Sequence, residues 1–223
     1  MSLRNLRKIQ LLQEELNREN FLKTDIVLPK ILEDQIQKSK FASGLNEVIN
    51  KLGSKSIAIP TDLHYHLEYN GLLIQFDDEL HFNRYRRITL ESEFYMNYKG
   101  FNTLSYKSYC RNYEKECIKA GLSKGIWENP ESLKIFGPSE EPGDLSLERD
   151  GASGWKMRAW RDFLQDVSGE ILGFKVLRIS TYDKIMLNGK IQSLGELLNS
   201  SNKKNFSIVA KSLIRRIINI KGS

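Results

Sequence analysis

The chain has 223 residues, 40% of them hydrophobic, and 34 basic against 28 acidic side chains give a net charge of +6. That length supports one substantial core. No apolar run approaches the ~20 residues a membrane helix needs, and the basic start MSLRNLRKIQ has no apolar signal core after it, so no membrane partner and a cytoplasmic location are expected.

In chain order, Ser2 is placed to cap a first helix with Leu6, Ile9 and Leu16 along one side. Pro29 opens a second helix that runs to about Leu52 and is ended by Gly53. Its apolar positions Leu45, Val48, Ile49 and Leu52 have the 3/4 spacing of a core-facing stripe. Residues 1–55 therefore read as an N-terminal helical region. The period changes at residues 57–60, a short extended run. Residues 63–78 then alternate in twos around Asn70 and Gly71, the strongest short hairpin signal.

A two-residue turn there sets Tyr69 against Leu72, His66 against Gln75 and His64 against Asp77. Side chains alternate faces along a strand. One face then carries Leu63, Tyr65, Leu67, Tyr69, Leu72, Ile74 and Phe76, and is a core face. The other carries His64, His66, Glu68, Leu73, Gln75 and Asp77. Apart from Leu73 that second face is polar, with ligand-type residues in place of the Lys, Ser and Thr usual on a wet sheet face.

Residues 83–95 read as a helix whose first turn holds Arg84, Arg86 and Arg87. A basic first turn opposes the helix dipole. It points either to another use for those arginines or to a partner carboxylate nearby. Residues 106–120 form a helix carrying Cys110 and Cys117. Two cysteines make no disulfide framework and their spacing is not a zinc pattern, so both are read as core-facing helix positions. Residues 123–154, rich in Gly, Pro, Ser and Glu, read as a long irregular excursion.

A helix follows over 154–166, with Trp155, Ala159, Phe163 and Val167 as its buried stripe and Arg158, Asp162 and Gln165 as a polar one. Arg158 and Asp162 have the spacing of a structural i, i+4 pair. Residues 173–180 read as a strand, 194–198 as a short helix and about 205–220 as a basic amphipathic helix. The expected architecture is α/β, with a mixed central sheet flanked by helices. Residues 56–185 form its core, with an irregular insertion at about 97–152, and 186–223 form a C-terminal basic helical tail.

Site chemistry concentrates in one place. Residues 75–82 contain Asp77, Asp78, Glu79 and His81, and all three histidines of the chain, His64, His66 and His81, lie within 18 residues. Histidine carries protons near neutral pH and ligates metals, and carboxylates are hard ligands for magnesium or calcium. Asp77 with Asp78, Glu68 or Glu79 could hold a divalent cation, and His81 or His66 could serve as general base. Asp78 and Glu79 could equally charge the next helix N-terminus. Residues 197–223 hold six basic side chains, Lys211 and Arg215 among them, and no acid, so residues 1–196 are balanced. Such a tail suits a phosphate backbone or is the solvated face of an amphipathic helix.

Gln75 and Asp77 followed by His81, then the helix with Arg158 and Asp162, then the Gly-Phe-Lys-Val-Leu-Arg-Ile strand over 173–179, resemble the PD-(D/E)XK nuclease superfamily, nearest to its very-short-patch-repair-like branch. The resemblance covers about residues 60–95 and 153–182. It implies a restriction-endonuclease-like sheet and metal-dependent hydrolysis of DNA, with magnesium or manganese as cofactor. By motif position Asp77 and His81 fall in the active site, with Gln75 in place of the family's Glu and His66 on the same face. Asp77, Glu68 and Asp78 are the candidate metal ligands. Arg84, Arg86, Arg87, Lys211 and Arg215 are the candidate nucleic-acid contacts. Many such nucleases act as dimers, so a homodimer is a further expectation. Asp78 replaces the usual Gly and the Glu-x-Lys lysine is absent. A site of this kind is either a divergent active centre or one that only binds nucleic acid or regulates.

Overall fold

The computed structural model describes residues 10, 13–16, 23–27, 33–54, 57, 59, 63–69, 71–122, 128–138, 152–187, 189–199 and 203–221. The architecture is mixed α/β. A four-stranded sheet has the order β1-β2-β3-β4, from β1 (Lys23–Val27), β2 (His64–Tyr69), β3 (Leu72–Asp77) and β4 (Lys175–Ser180). The first three strands are antiparallel neighbours, and β4 joins β3 in parallel. A separate two-stranded hairpin pairs β5 (Lys184–Leu187) with β6 (Lys190–Ser193). The helices are α1 (Glu33–Lys38), α2 (Ala42–Lys51), α3 (Arg84–Thr89), α4 (Thr103–Asn112), α5 (Glu114–Leu122), α6 (Pro130–Phe136), α7 (Ala152–Leu172), α8 (Leu194–Asn199) and α9 (Lys203–Lys221). No helix among the described residues is long and apolar enough to cross a membrane.

Next to the turn the hairpin keeps the expected register, with Tyr69 against Leu72, Glu68 against Leu73 and Leu67 against Ile74, while the expected pairs His66–Gln75 and His64–Asp77 are not part of the ladder. Gly71 takes φ +78°, the left-handed conformation the turn demands; Asn70 lies outside the described residues. Beyond Leu67 a side chain takes over from the ladder, and His66 Nδ1 accepts the Phe76 N–H at 3.0 Å.

Both faces of β3 are buried, because helices cover each side of the sheet. Leu67, Leu72, Ile74, Phe76, Leu177 and Ile179 pack under α8 and α9 through Leu197, Leu198, Val209, Leu213 and Ile217. Leu73 and Val176 pack on the other side with Trp155, Trp160, Phe163, Leu45 and Val48. So the expected core face is apolar and buried, but the opposite face is not wet: α7 lies on it. Leu63 and Tyr65 depart from their expected group, packing on that α7 side, where the Tyr65 hydroxyl donates to the Gln165 carbonyl at 2.7 Å.

Other expectations change in detail. The N-terminal region contains strand β1, paired with β2, as well as helices. Residues 13–16 are helical and Leu16 is buried, while Ser2, Leu6 and Ile9 lie outside the described residues. The helix expected from Pro29, itself outside the described residues, divides into α1 and α2. Between them the Ser39 hydroxyl donates to the Ile36 carbonyl at 2.7 Å and accepts from Phe41 N, competing with helical bonding. Of the extended run at 57–60, only Ile57 and Ile59 are described, and neither belongs to a strand.

The segment 83–95 is a short helix, α3, followed by a 3-10 turn at Glu93–Met96 capped by Ser92. The cysteine-bearing segment is two helices, α4 and α5, with both thiols buried. The excursion over 123–154 contains α6, started by Pro130 and a reciprocal Asn129–Ser132 capping box; residues 139–151 lie outside the described residues.

The outer edge of β4 is covered. Gly100 O accepts from Arg178 N at 3.1 Å, and the Tyr98 hydroxyl donates to Val176 O at 3.0 Å. A β-carbon on Gly100 would stand 2.2 Å from Val176 O and 2.6 Å from the Tyr98 ring. Gly100→Ala is therefore expected to destabilise the protein by about 1–3 kcal/mol, read as a lower urea midpoint.

Candidate metal and acid–base centre

The site forms where β3, β4 and α7 meet. Strand β3 ends on Asp77, whose register partner in β4 is Ser180. A 3-10 turn over Glu79–His81 follows, capped by Asp78, whose Oδ1 accepts from Leu80 N at 3.0 Å. Phe82 anchors this turn. It is fully buried and packs edge-on to Tyr106 at 5.4 Å and Tyr182 at 5.2 Å. The turn thereby folds His81 back over the end of β3.

His81 Nδ1 lies 2.9 Å from Asp162 Oδ2 on α7 and 3.5 Å from Asp77 Oδ1. Its Nε2 lies 3.2 Å from Arg158 Nη1 and 3.7 Å from Asp78 Oδ1. A guanidinium only donates, so the Arg158 contact suits an accepting Nε2 with Nδ1–H donating to Asp162. Arg158 and Asp162 thus bracket His81 and form no ion pair with each other, contrary to the spacing-based expectation.

Arg178 is the hub beneath. It is fully buried in β4. Its Nε donates to Asp166 Oδ1 at 2.5 Å, its Nη1 to Asp77 Oδ1 at 2.7 Å, and its Nη2 to Asp162 O at 2.7 Å and Gln165 Oε1 at 2.9 Å. Asp166 also accepts from Arg86 Nη2 at 2.8 Å and from the Tyr95 hydroxyl at 2.6 Å. Three buried aspartates, Asp77, Asp162 and Asp166, therefore face two buried guanidiniums, which leaves one negative charge for a proton or a cation to offset.

Burial pushes the Asp77 carboxyl above the usual carboxylate range and outweighs Arg178 and His81. Burial acts the same way on Asp162, but His81 and Arg178 together outweigh it and hold that carboxyl well below the range. Toward the end of β3 two carbonyl-type oxygens remain buried with no partner, Asp77 Oδ2 and Gln75 Oε1, from alternate residues on one face of the strand. An orphaned buried acceptor costs about 1–3 kcal/mol, so both call for a partner the protein chain does not supply. Among the described residues Asp77, His81 and Asp162 each offer a ligand atom within 4.8 Å of the others. That mixed oxygen and nitrogen set fits a divalent cation.

The structure sorts the expected site residues. Asp77 and His81 come together, with Gln75 beside Asp77 on β3. His66 is near enough to feel the charges of His81 and Asp78, but its ring nitrogen is occupied by the Phe76 amide and it stands outside the ligand group. His64 is exposed. Glu68 is not a ligand beside Asp77. It accepts the Gly71 amide at the turn, and its register partner Leu73 lies four residues before Asp77, roughly 13 Å away along the strand. Asp78 is mainly a cap.

Arg86 is excluded as a phosphate contact because it is buried against Asp166. Arg84 pairs with Glu114, so carboxylates explain two of the three arginines in the basic first turn. Arg87, Lys211 and Arg215 are exposed. The residues given no site role from sequence are Asp162, Asp166 and Arg178. A lone arginine within the apolar run of β4 was the available signal, since a charge there must be paired.

Removing the hub leaves three buried carboxylates short of a cation, so Arg178→Met is expected to cost about 3–5 kcal/mol in urea unfolding. Burial, with His81 adding to it, lowers the His66 pKa from the ordinary 6.5 to about 4. Between those values the unfolded chain takes up a proton that the folded one refuses. Stability should therefore fall as pH drops from 6.5 to 4. His66→Gln keeps an acceptor for the Phe76 amide and should flatten that slope in unfolding titrations across the window.

No curated protein and no solved structure matches this chain. A family model described as "Family of unknown function (DUF7255)" matches residues 46–200, a span that takes in β2 to β4, α7 and every residue of the centre. The chain belongs to this DUF7255 family.

Proposed function

We propose that the protein is a metal-dependent phosphodiester hydrolase acting on nucleic acid, DNA first among candidates, with magnesium or manganese as its cation. The observation that carries this reading is the convergence of Asp77, His81 and Asp162 beside two partnerless buried oxygens, Asp77 Oδ2 and Gln75 Oε1. The resemblance to PD-(D/E)XK nucleases rests on the same residues. Asp77 and Gln75, with Asp162, would hold the cation. Bound there, it would polarise a phosphoryl oxygen and lower the pKa of a water.

The chain's own groups divide the remaining work. Asp162 holds the His81 ring with its proton on Nδ1, as a carboxylate orients an imidazole in a hydrolytic triad. That leaves Nε2 as the base to receive a proton from the attacking water. Arg158, now 3.2 Å from Nε2, would turn its guanidinium to the incoming phosphate, freeing Nε2 as it does so. Arg87, Lys211 and Arg215 would neutralise flanking phosphates.

The test is cleavage of plasmid DNA, single-stranded DNA and RNA in magnesium or manganese. Wild-type protein is expected to cleave and to stop on chelation. His81→Gln should slow it by about 10²-fold or more, and Asp77→Asn should abolish it with the fold checked by circular dichroism. No metal-stimulated cleavage by the wild type on any of these substrates sinks the proposal.

One observation favours a second reading, a nuclease-like module that binds nucleic acid or regulates without cleaving. Arg178 already sits on Asp77 Oδ1, and Gln75 brings no charge to the site. That reading expects mobility shifts whose affinity falls steeply with salt and no cleavage.

A further inference from the structure

We infer that the cavity between α3 and the α4–α5 junction binds a phosphate monoester, the chain end of a nucleic acid or a free phosphate or nucleotide. Its volume is about 310 Å³ and its walls are Arg84, Arg87, Cys110, Arg111 and Glu114. That size lies at the low end for ligand sites, which run from about 300 Å³, and suits a phosphate with its sugar better than a larger ligand.

The charge in the cavity is built in an asymmetric way. Glu114 is used up by Arg84: Oε1 accepts from Arg84 Nε at 3.1 Å and Nη2 at 2.7 Å, and Oε2 accepts from the Arg84 backbone N–H at 2.7 Å. Arg87, one turn further along α3, and Arg111, at the end of α4, are exposed and have no carboxylate partner among the described residues. Three guanidiniums against one carboxylate leave a local charge of two. A monoester carries about −1.5 to −2 near pH 7, whereas a diester carries a single charge, so the cavity matches the monoester.

Guanidinium forks also suit phosphate oxygens geometrically. The backbone donors of α3 play no part in this. Asn83 Oδ1 accepts from Tyr85 N and Arg86 N, and Glu114 takes Arg84 N. The ligand would be held by side chains alone.

Position ties the cavity to the centre. Arg84 follows His81 by three residues in the segment anchored by Phe82, and Asn83, between them, reaches Cys117 on α5 with its side-chain amide. A terminal phosphate seated here would be held by the helix that directly follows the His81 turn. Only this assignment of the phosphate to a nucleic-acid end rests on the hydrolase reading; the phosphate site itself does not.

The experiment is thermal unfolding of the full chain in inorganic phosphate against chloride at matched ionic strength. Phosphate is expected to raise the wild-type midpoint. The double variant Arg87→Ala/Arg111→Ala, altered at two exposed positions, should keep its chloride midpoint and lose the phosphate shift. Glu114→Gln should respond at several-fold lower phosphate, whatever its starting stability. No shift in the wild type, or an equal shift in the double variant, overturns the proposal.

An oligonucleotide with a terminal phosphate and its hydroxyl-ended counterpart then separate the sources. Several-fold tighter binding of the phosphorylated form, lost in the double variant, assigns a nucleic-acid end. Equal binding of the two, with the phosphate shift intact, assigns a free phosphate or nucleotide. Protein that shifts with phosphate yet cleaves nothing leaves the cavity standing and the hydrolase reading fallen. Cleavage that depends on Asp77, with no phosphate shift, does the reverse.

Discussion

The structure depends on one buried guanidinium. Arg178 sits in the middle of an apolar strand with no exposure to solvent, and a charge in that position is tolerable only if every donor is satisfied. Its side-chain partners come from two elements. Asp77 ends β3, Asp162 and Asp166 lie one turn apart on α7, and Gln165 stands between them. Meeting these demands fixes the azimuth of α7 over the sheet and the depth of the β3 terminus. Through Asp166 the same demand draws in Arg86 of α3 and Tyr95 of the following turn. The backbone of Arg178 is held as well, its N–H by Gly100 and its carbonyl by Arg216 of α9, which also pairs with Asp183.

The candidate centre is one end of this network, with Asp77, His81 and Asp162 all buried. His81 is the one member of it that touches both the buried carboxylates and a partly exposed arginine, Arg158. The negative charge left over among the buried groups and the two partnerless oxygens fall at the same place, on Gln75 and Asp77. A network built only for stability would have closed those oxygens with donors, since apolar replacement of buried ionic groups is often no worse for stability. Asp77, His81 and Asp162 could hold a cation there.

Much of this was legible in the chain, and the misses have specific causes. Strict alternation about Asn70 and Gly71 gave the hairpin and its register, because the period of two and the turn chemistry agree. The 3/4 stripe of Trp155, Ala159, Phe163 and Val167 gave α7. Strand β1 was missed because five residues, two of them charged, carry no readable alternation. The β5–β6 hairpin had a signal, Asn188 and Gly189 between apolar runs, which the neighbouring helix pattern overshadowed; Gly189 takes φ +75°. The start of α4, its break from α5 and the whole of α6 were obscured by polar surfaces and short lengths, for which capping by Asn102 and Asn129 is the more telling evidence. Arg86 was misread because a charge in a helix's first turn looks solvent-facing until a partner such as Asp166 is seen.

The sequence by itself determined part of the local order: the hairpin around Asn70 and Gly71, its apolar face from Leu67 to Phe76, and that Asp77 and His81 belong to one short segment. These follow from interactions within a few residues, where alternation, turn preference and capping act. Only the tertiary structure decided that the second hairpin face is buried and that Asp162 joins His81 across 81 positions of chain. It alone pairs Arg178 with Asp77 over 101 positions and brings Arg87 and Arg111 to one cavity. Electrostatic partners in a low-dielectric interior are chosen by which elements pack together, and sequence spacing carries no record of that choice.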